Sequence, residues 1–177
     1  MGAFFYRLMG AATFDVGVFE QIEADRRATI QAVIVVLVAS LALGFGISPP
    51  TGGNFRMFAL VSVTALTTWV MWAAITLVIG ARIMPEPDTQ SNMGEVLRTI
   101  GFAAAPGWLQ ALAALSDVKW PFIAVTSAWM LASMVVALRQ ALDYTSTWRA
   151  IVVCLIAAGL IAVMILVLSQ SVASMSL

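Results

Sequence analysis

Five charged residues gather at one edge of an otherwise greasy chain: Glu95, Arg98, Arg139, Asp143 and Arg149. Drawn from two loops, such groups can form a small ion-pair network or a docking site for a cytoplasmic or membrane partner. Ordinary anchoring at a membrane edge, with solvated acids, leaves the same residues in the same places. Beyond them the chemistry thins out. The chain has no histidine and a single cysteine, Cys154. It therefore lacks the commonest proton shuttle and haem ligand, and it has no thiolate cluster for a metal. There is no Gly-rich phosphate loop and no nucleophile elbow. No catalytic residue, metal or cofactor is expected. With a formal net charge of zero, no nucleic-acid partner is expected either.

Two further sets of polar groups lie in apolar surroundings. Ser62, Thr64, Thr67, Thr68 and Thr76 fall on one long apolar run. Their hydroxyls either line a conduit or bond to their own and neighbouring helices. Of six tryptophans, Trp120 and Trp148 stand at run ends, where an aromatic belt is expected. Trp69, Trp72, Trp108 and Trp129 stand near mid-run, where an indole N–H needs a partner. Those four rings should face protein or a bound lipid.

The elements that must position these groups follow from composition. The 177 residues are 62% hydrophobic and 10% charged, where about 25% charged is usual in a soluble domain. Apolar runs at 29–46, 55–83, 99–115, 122–138 and 150–168 read as five transmembrane helices. None alternates polar and apolar residues, which argues against a strand barrel. Apart from Arg56 and Arg82 at the two ends of the second run, no charged residue falls within these runs, which argues against an ion-coupled pump. The expected fold is an all-α integral membrane protein. A cytoplasmic amphipathic segment at 1–28 precedes a five-helix domain at 29–169, and an external tail follows at 170–177.

The N-terminal segment lacks an uninterrupted apolar stretch with a cleavage site, so no signal peptide is expected. Phe14, Val18 and Ile22 repeat every four residues, and Thr13 or Asp15 can cap the helix that carries them. The segment lies on the cytoplasmic leaflet or docks on a partner; equally, it packs against the bundle. "ISPPTGGN" (Ile47–Asn54) reads as a tight external turn, and "SDVKWP" (Ser116–Pro121) as a short external connection. Orientation follows from the basic residues. Arg7, Arg26, Arg27, Arg82, Arg98, Arg139 and Arg149 fall on one side, and Arg56 and Lys119 on the other. Seven against two places the N-terminus in the cytoplasm and the C-terminus outside.

"LRTIGFAAAPGWLQALAAL" (Leu97–Leu115) carries Pro106 and Gly107 in its middle. Proline removes a helix donor and frees the carbonyl four residues back, at Phe102. Gly101 and Gly107, with the alanines between them, let other helices approach closely. The stretch reads as a kinked, centrally packed helix.

Those same residues carry a likeness. "EVLRTIGFAAAPGWLQAL" (Glu95–Leu112) resembles a segment of the Yip family, with Arg98, Gly101, Phe102, Ala103 and Pro106 matching. "WMLASMVVALRQALDYTSTWRAIVVCLI" (Trp129–Ile156) resembles its closing hairpin, through Leu138, Arg139, Ala141, Leu142, Arg149 and Ala150. "VGVFEQIEADRR" (Val16–Arg27) resembles its N-terminal "F-E-x-I" segment. The family's eukaryotic members were named for interaction with Rab-type small GTPases. Their "D-L-Y-G-P" and "G-Y" motifs are absent, so the chain looks like the compact bacterial type. The resemblance implies five spans, a cytoplasmic N-terminus and a place in the bacterial inner membrane. The expected function is a non-enzymatic scaffold or accessory subunit that binds lipids, other membrane proteins or itself. The alternatives are a passive conduit or small-solute permease along the hydroxyl-bearing second span, and, by family analogy, a receptor for a GTPase-like partner.

Overall fold

A computed structural model describes residues 2–47, 55–115 and 118–175. Among them every regular element is helical. Two short helices, α1 (Gly2–Ala12) and α2 (Val16–Ala24), precede α3 (Ala28–Ile47) and α4 (Phe55–Val78). α4 runs on into a π-helical turn at Ile79–Ile83. Next come α5 (Met93–Ala103), a 3₁₀ segment (Ala105–Leu115), α6 (Lys119–Ala141) and α7 (Thr147–Met175). Four helical stretches are long and apolar enough to cross a membrane: Ala28–Gly46, Val63–Ile83, Lys119–Ala141 and Thr147–Met164. The expected turn at Ile47–Asn54 lies outside the described residues beyond Ile47; of the connection at Ser116–Pro121, Ser116 and Asp117 lie outside them and Lys119–Pro121 open α6.

Two expectations need correction. The run at 99–115 is not one kinked α-helix. The α-helix starts earlier, at Met93, ends at Ala103, and gives way to 3₁₀ structure. The freed carbonyls explain the change: Ala104 N–H donates to Gly101 O at 3.3 Å and Gly107 N–H to Ala104 O at 2.9 Å, both three residues back. α7 stays helical to Met175, into the stretch expected as an external tail. The N-terminal segment is two helices rather than one. Asp15 caps the second, accepting from Val18 N–H at 3.2 Å, while the Thr13 hydroxyl bonds back to Met9 O and Gly10 O.

That helical pair packs against the bundle. Leu8, Ala11, Val18, Phe19 and Ile22 are buried. The last carbonyls of α1 have no partner within their own helix, and α6 supplies donors for them. Ser133 Oγ donates to Ala11 O at 2.8 Å and Trp129 Nε1 to Ala12 O at 2.7 Å. Ser133 lies about 12 Å along α6 from its Ala141 end, and Trp129 about 18 Å. α1 therefore sits at the depth of the apolar helices. It turns Phe5, Tyr6 and Met9 outward, all more than half exposed. Its one charge, Arg7, is neutralised by Asp25 at 2.8 Å and held by Gln31 Oε1 at 3.2 Å.

The core is built on close approach. α3 packs along the 3₁₀ segment, α5 and α4. A Cβ at Gly101 would stand 2.6 Å from Ala32 Cβ on α3, and one at Gly107 would stand 3.0 Å from Ala39 Cβ and 2.9 Å from Met130 Sδ. Only hydrogen fits at Gly101, and at Gly107 a methyl would have to push Met130 aside. Pro106, Gly101 and Gly107 are all buried.

Candidate functional site

The five charged candidates do not form one network. Arg98 is 6% exposed and points into the fold. Its Nε donates to Ile22 O at 3.2 Å and its Nη2 to Glu23 O. It closes the C-terminal end of α2, where carbonyls lack helical partners. Glu95 belongs to the start of α5. Its carboxylate accepts from Asn92 N–H at 2.9 Å, while the Asn92 side chain accepts from Gly94 and Glu95 N–H, a reciprocal capping box.

Arg149 pairs with a residue that reading the sequence did not single out. Its Nε lies 3.5 Å from Glu86 Oε1, and its Nη1 donates to Pro85 O at 3.1 Å. Glu86 also accepts from Thr145 N–H at 2.8 Å, Thr145 Oγ1 at 2.7 Å and Ser146 N–H at 3.4 Å. Those donors stand just before α7, where the helix end favours an anion. The Thr145 bonds hold the Glu86 carboxyl below the usual carboxylate range, with help from Ser146 and Arg149. Tyr144 was missed as well. Its Oη lies 2.8 Å from both Gly80 O and Met84 O, at the two ends of the π turn. Burial pushes its hydroxyl up from its ordinary value. The nearest sequence signal was a carboxylate fixed between Pro85 and Pro87. Its partners lie 59 to 63 residues away, so no local spacing marks the pair.

Arg139 and Asp143 remain open. Arg139 Nε donates to Tyr144 O at 3.3 Å, and Asp143 Oδ2 accepts from Gln90 N–H at 3.4 Å. Among the described residues neither belongs to an ion pair. Both line a groove of about 340 Å³ at the ends of α6 and α7, beside Phe14 and Val16 of the α1–α2 turn. Nearby, Glu23 is pushed up to about 7, first by burial and then by the Asp143 and Glu95 carboxylates, with Arg98 pulling the other way.

Within the bundle, three of the four mid-run indoles meet protein carbonyls. Trp69 donates to Leu97 O, Trp108 to Val35 O and Trp129 to Ala12 O. Trp72 Nε1 is buried without a partner. Two hydroxyls of the second run turn back on their own helix: Thr67 donates to Val63 O, and Thr76 bonds Trp72 O and Ala73 O. A second cavity of about 270 Å³ lies between α3, α4, α5 and α6. Of those hydroxyl residues only Thr68 lines it, and its other walls include Trp72, Gln110 and Met130. Among the described residues no group of three His, Cys, Asp or Glu is placed to hold a metal ion.

A family model described as the Yip1 domain matches residues 12–168. No curated protein and no solved structure matches the chain.

Proposed function

The chain belongs to the Yip1-domain family, and from that premise we propose a non-enzymatic scaffold or accessory subunit of a bacterial inner membrane. It binds other membrane proteins or lipids at its cytoplasmic end. One observation carries the reading. Arg98, Glu95 and Arg149 are occupied in holding helix ends, whereas Arg139 and Asp143 face a groove with no ionic partner. The polar groups left free are placed for recognition from outside.

The topology that goes with this reading has five crossings, with the N-terminus in the cytoplasm and the C-terminus outside. Its support is the path of α5 and the 3₁₀ segment along α3. Gly101 meets Ala32 near the start of α3, and Gln110 O presses on Gly46 near its end. Reporter fusions at both termini test the orientation, and a cytoplasmic C-terminus would leave four crossings. For the function, a photo-cross-linker at Gln140, on the groove wall, should capture a membrane partner or a lipid in native membranes. A monodisperse monomer with neither would overturn the proposal. For the alternative, a conduit along the second run, Thr68 lines a cavity, while Thr67 and Thr76 bond to their own helix.

A further inference from the structure

The geometry points to a binding site for the headgroup of a zwitterionic phospholipid that carries a primary ammonium, in the groove between the α1–α2 turn and the α6–α7 connection. The inference deepens the lipid-binding half of the proposed function and rests on it.

Three features define the groove. It holds one charge of each sign. Arg139 and Asp143 stand four residues apart on the closing hairpin, and neither is neutralised by an ion pair among the described residues. Both side chains are solvent-exposed, so water solvates them and a ligand that offers the opposite charges can take its place. Its lip is apolar. Phe14 is 40% exposed and Val16 44% exposed, and Val136 lines the wall below them. Its level is that of the membrane–water boundary. It lies where α6 ends and α7 begins, next to Trp148, which is 70% exposed, and an exposed indole at a span end marks the interface.

A ligand that satisfies all three needs an anion, a cation a few ångströms away, and an apolar body. A phosphodiester offers the guanidinium two oxygens in a geometry that Arg matches well. A primary ammonium offers three N–H donors to the Asp143 carboxylate. The acids around the groove favour a cation on that side. Glu20 accepts from Gln140 Nε2 at 3.5 Å, and Glu23 feels the Asp143 charge. An anionic lipid without the ammonium would face those acids unpaired, and a choline headgroup has no N–H to give them.

The rim is fixed before any ligand arrives. Phe14 and Asp143 are the non-glycine residues with positive φ, at 65° and 52°. Each ends a helix with the same pair of bonds. Asp15 N–H reaches Gly10 O at 2.9 Å and Phe14 N–H reaches Ala11 O at 3.3 Å; Tyr144 N–H reaches Arg139 O at 2.9 Å and Asp143 N–H reaches Gln140 O at 3.0 Å. These are left-handed helix endings that asparagine also tolerates. An Asp143→Asn variant therefore removes the charge and keeps the turn.

The test is native mass spectrometry of the full chain released from bilayers with equal fractions of phosphatidylethanolamine, phosphatidylcholine and phosphatidylglycerol of matched acyl chains. The wild type should retain phosphatidylethanolamine several-fold over the other two. Asp143→Asn should abolish that preference and raise the phosphatidylglycerol share. Arg139→Gln should reduce retention of all three. Since Arg139 also holds Tyr144 O, Asp143→Asn decides the matter alone if Arg139→Gln misfolds. Equal retention of the three lipids by the wild type, or a preference unchanged in Asp143→Asn, would overturn the assignment. A protein-only scaffold would still give its partner in the Gln140 cross-linking experiment while showing no headgroup preference, so the two proposals can fail separately.

Discussion

The contact between α5 and α3 at Gly101 gives the sharpest test of how this bundle is held. In Gly101→Ala, the new methyl would meet Ala32 Cβ at 2.6 Å, Ala32 Cα at 3.3 Å and Trp69 Cζ2 at 3.3 Å. Carbon atoms rest about 3.5–4.0 Å apart, so the helices must separate by roughly 1 Å. Ala32 has no rotatable side chain with which to yield. Overpacking of this kind costs about 1–3 kcal/mol. The single variant hides part of that cost, because exchanging glycine for alanine favours a helix by about 1 kcal/mol in water. The reverse exchange, Ala32→Gly, carries the opposite bias and clears the space. In the double variant the two biases cancel and the clash is gone. The double-mutant cycle therefore isolates the steric term, and its coupling energy should be about 1–3 kcal/mol in favour of the pair. Reversible unfolding in mixed detergent micelles, followed by far-ultraviolet circular dichroism, measures all four corners. A coupling within about 0.5 kcal/mol of zero, the level seen for independent sites, would refute the claim that backbone contact at this glycine sets the spacing of α3 and α5.

Three further outcomes follow from the polar contacts. Arg98→Met removes both donors from the end of α2, and at about 1.5–3 kcal/mol for each bond to a charged group it should raise amide hydrogen exchange in Val16–Ala24 well above that in α6; uniform exchange in the two helices would contradict it. Glu23 is raised to about 7, so its stabilising protonation is complete below its ordinary value of 4.5 and is lost as pH climbs through 7. Glu23→Gln should therefore raise the melting temperature at pH 8 more than at pH 5, and an equal shift at both would count against the burial and crowding of that carboxyl. Ser133→Ala strips one of two donors from Ala11 O, which keeps Phe14 N–H at 3.3 Å, and should cost about 0.5–1.5 kcal/mol, with α1 becoming the first site of proteolytic cleavage; cleavage elsewhere first would show that α1 is held by other contacts.

The sequence made the apolar runs plain because membrane helices are written in continuous hydrophobicity, and the helices at α3, α4, α6 and α7 fall where the runs do. It made Gly101, Pro106 and Gly107 plain as well, since each is unusual in a helix and each has one physical use there. The charged residues were harder. Seven basic residues on one face look alike in a count of positive charge, yet Arg98 is buried on α2 carbonyls, Arg7 is paired with Asp25, and Arg139 is open. A charge count reads sidedness and cannot read partners. The anchors that dock α1 were invisible for a similar reason. Its anchors, Trp129 and Ser133, are 117 and 122 residues from the carbonyls they serve. Amphipathic spacing alone does not say whether the apolar face meets lipid or protein, and here α1 meets both.

The short third run acquires a physical meaning from its 3₁₀ form. As an α-helix, 99–115 would extend only about 26 Å, less than the roughly 30 Å of a hydrocarbon core. A 3₁₀ helix rises about 2.0 Å per residue, so Ala105–Leu115 in that form brings the whole run to about 30 Å. The lengthening normally carries a cost in hydrogen-bond geometry, which is why 3₁₀ runs beyond four residues are uncommon. Here three circumstances offset it. Pro106 has already removed one α-helical bond. The narrower helix brings Gly107 against Ala39 and Met130. Trp108 and Gln110 reach outward to Val35 O and Ser127 Oγ, tying the segment to α3 and α6. The proline in "LRTIGFAAAPGWLQALAAL" thus does more than bend a helix. It commits the residues after it to a longer rise, and the small residues around it admit the neighbours that hold that rise in place.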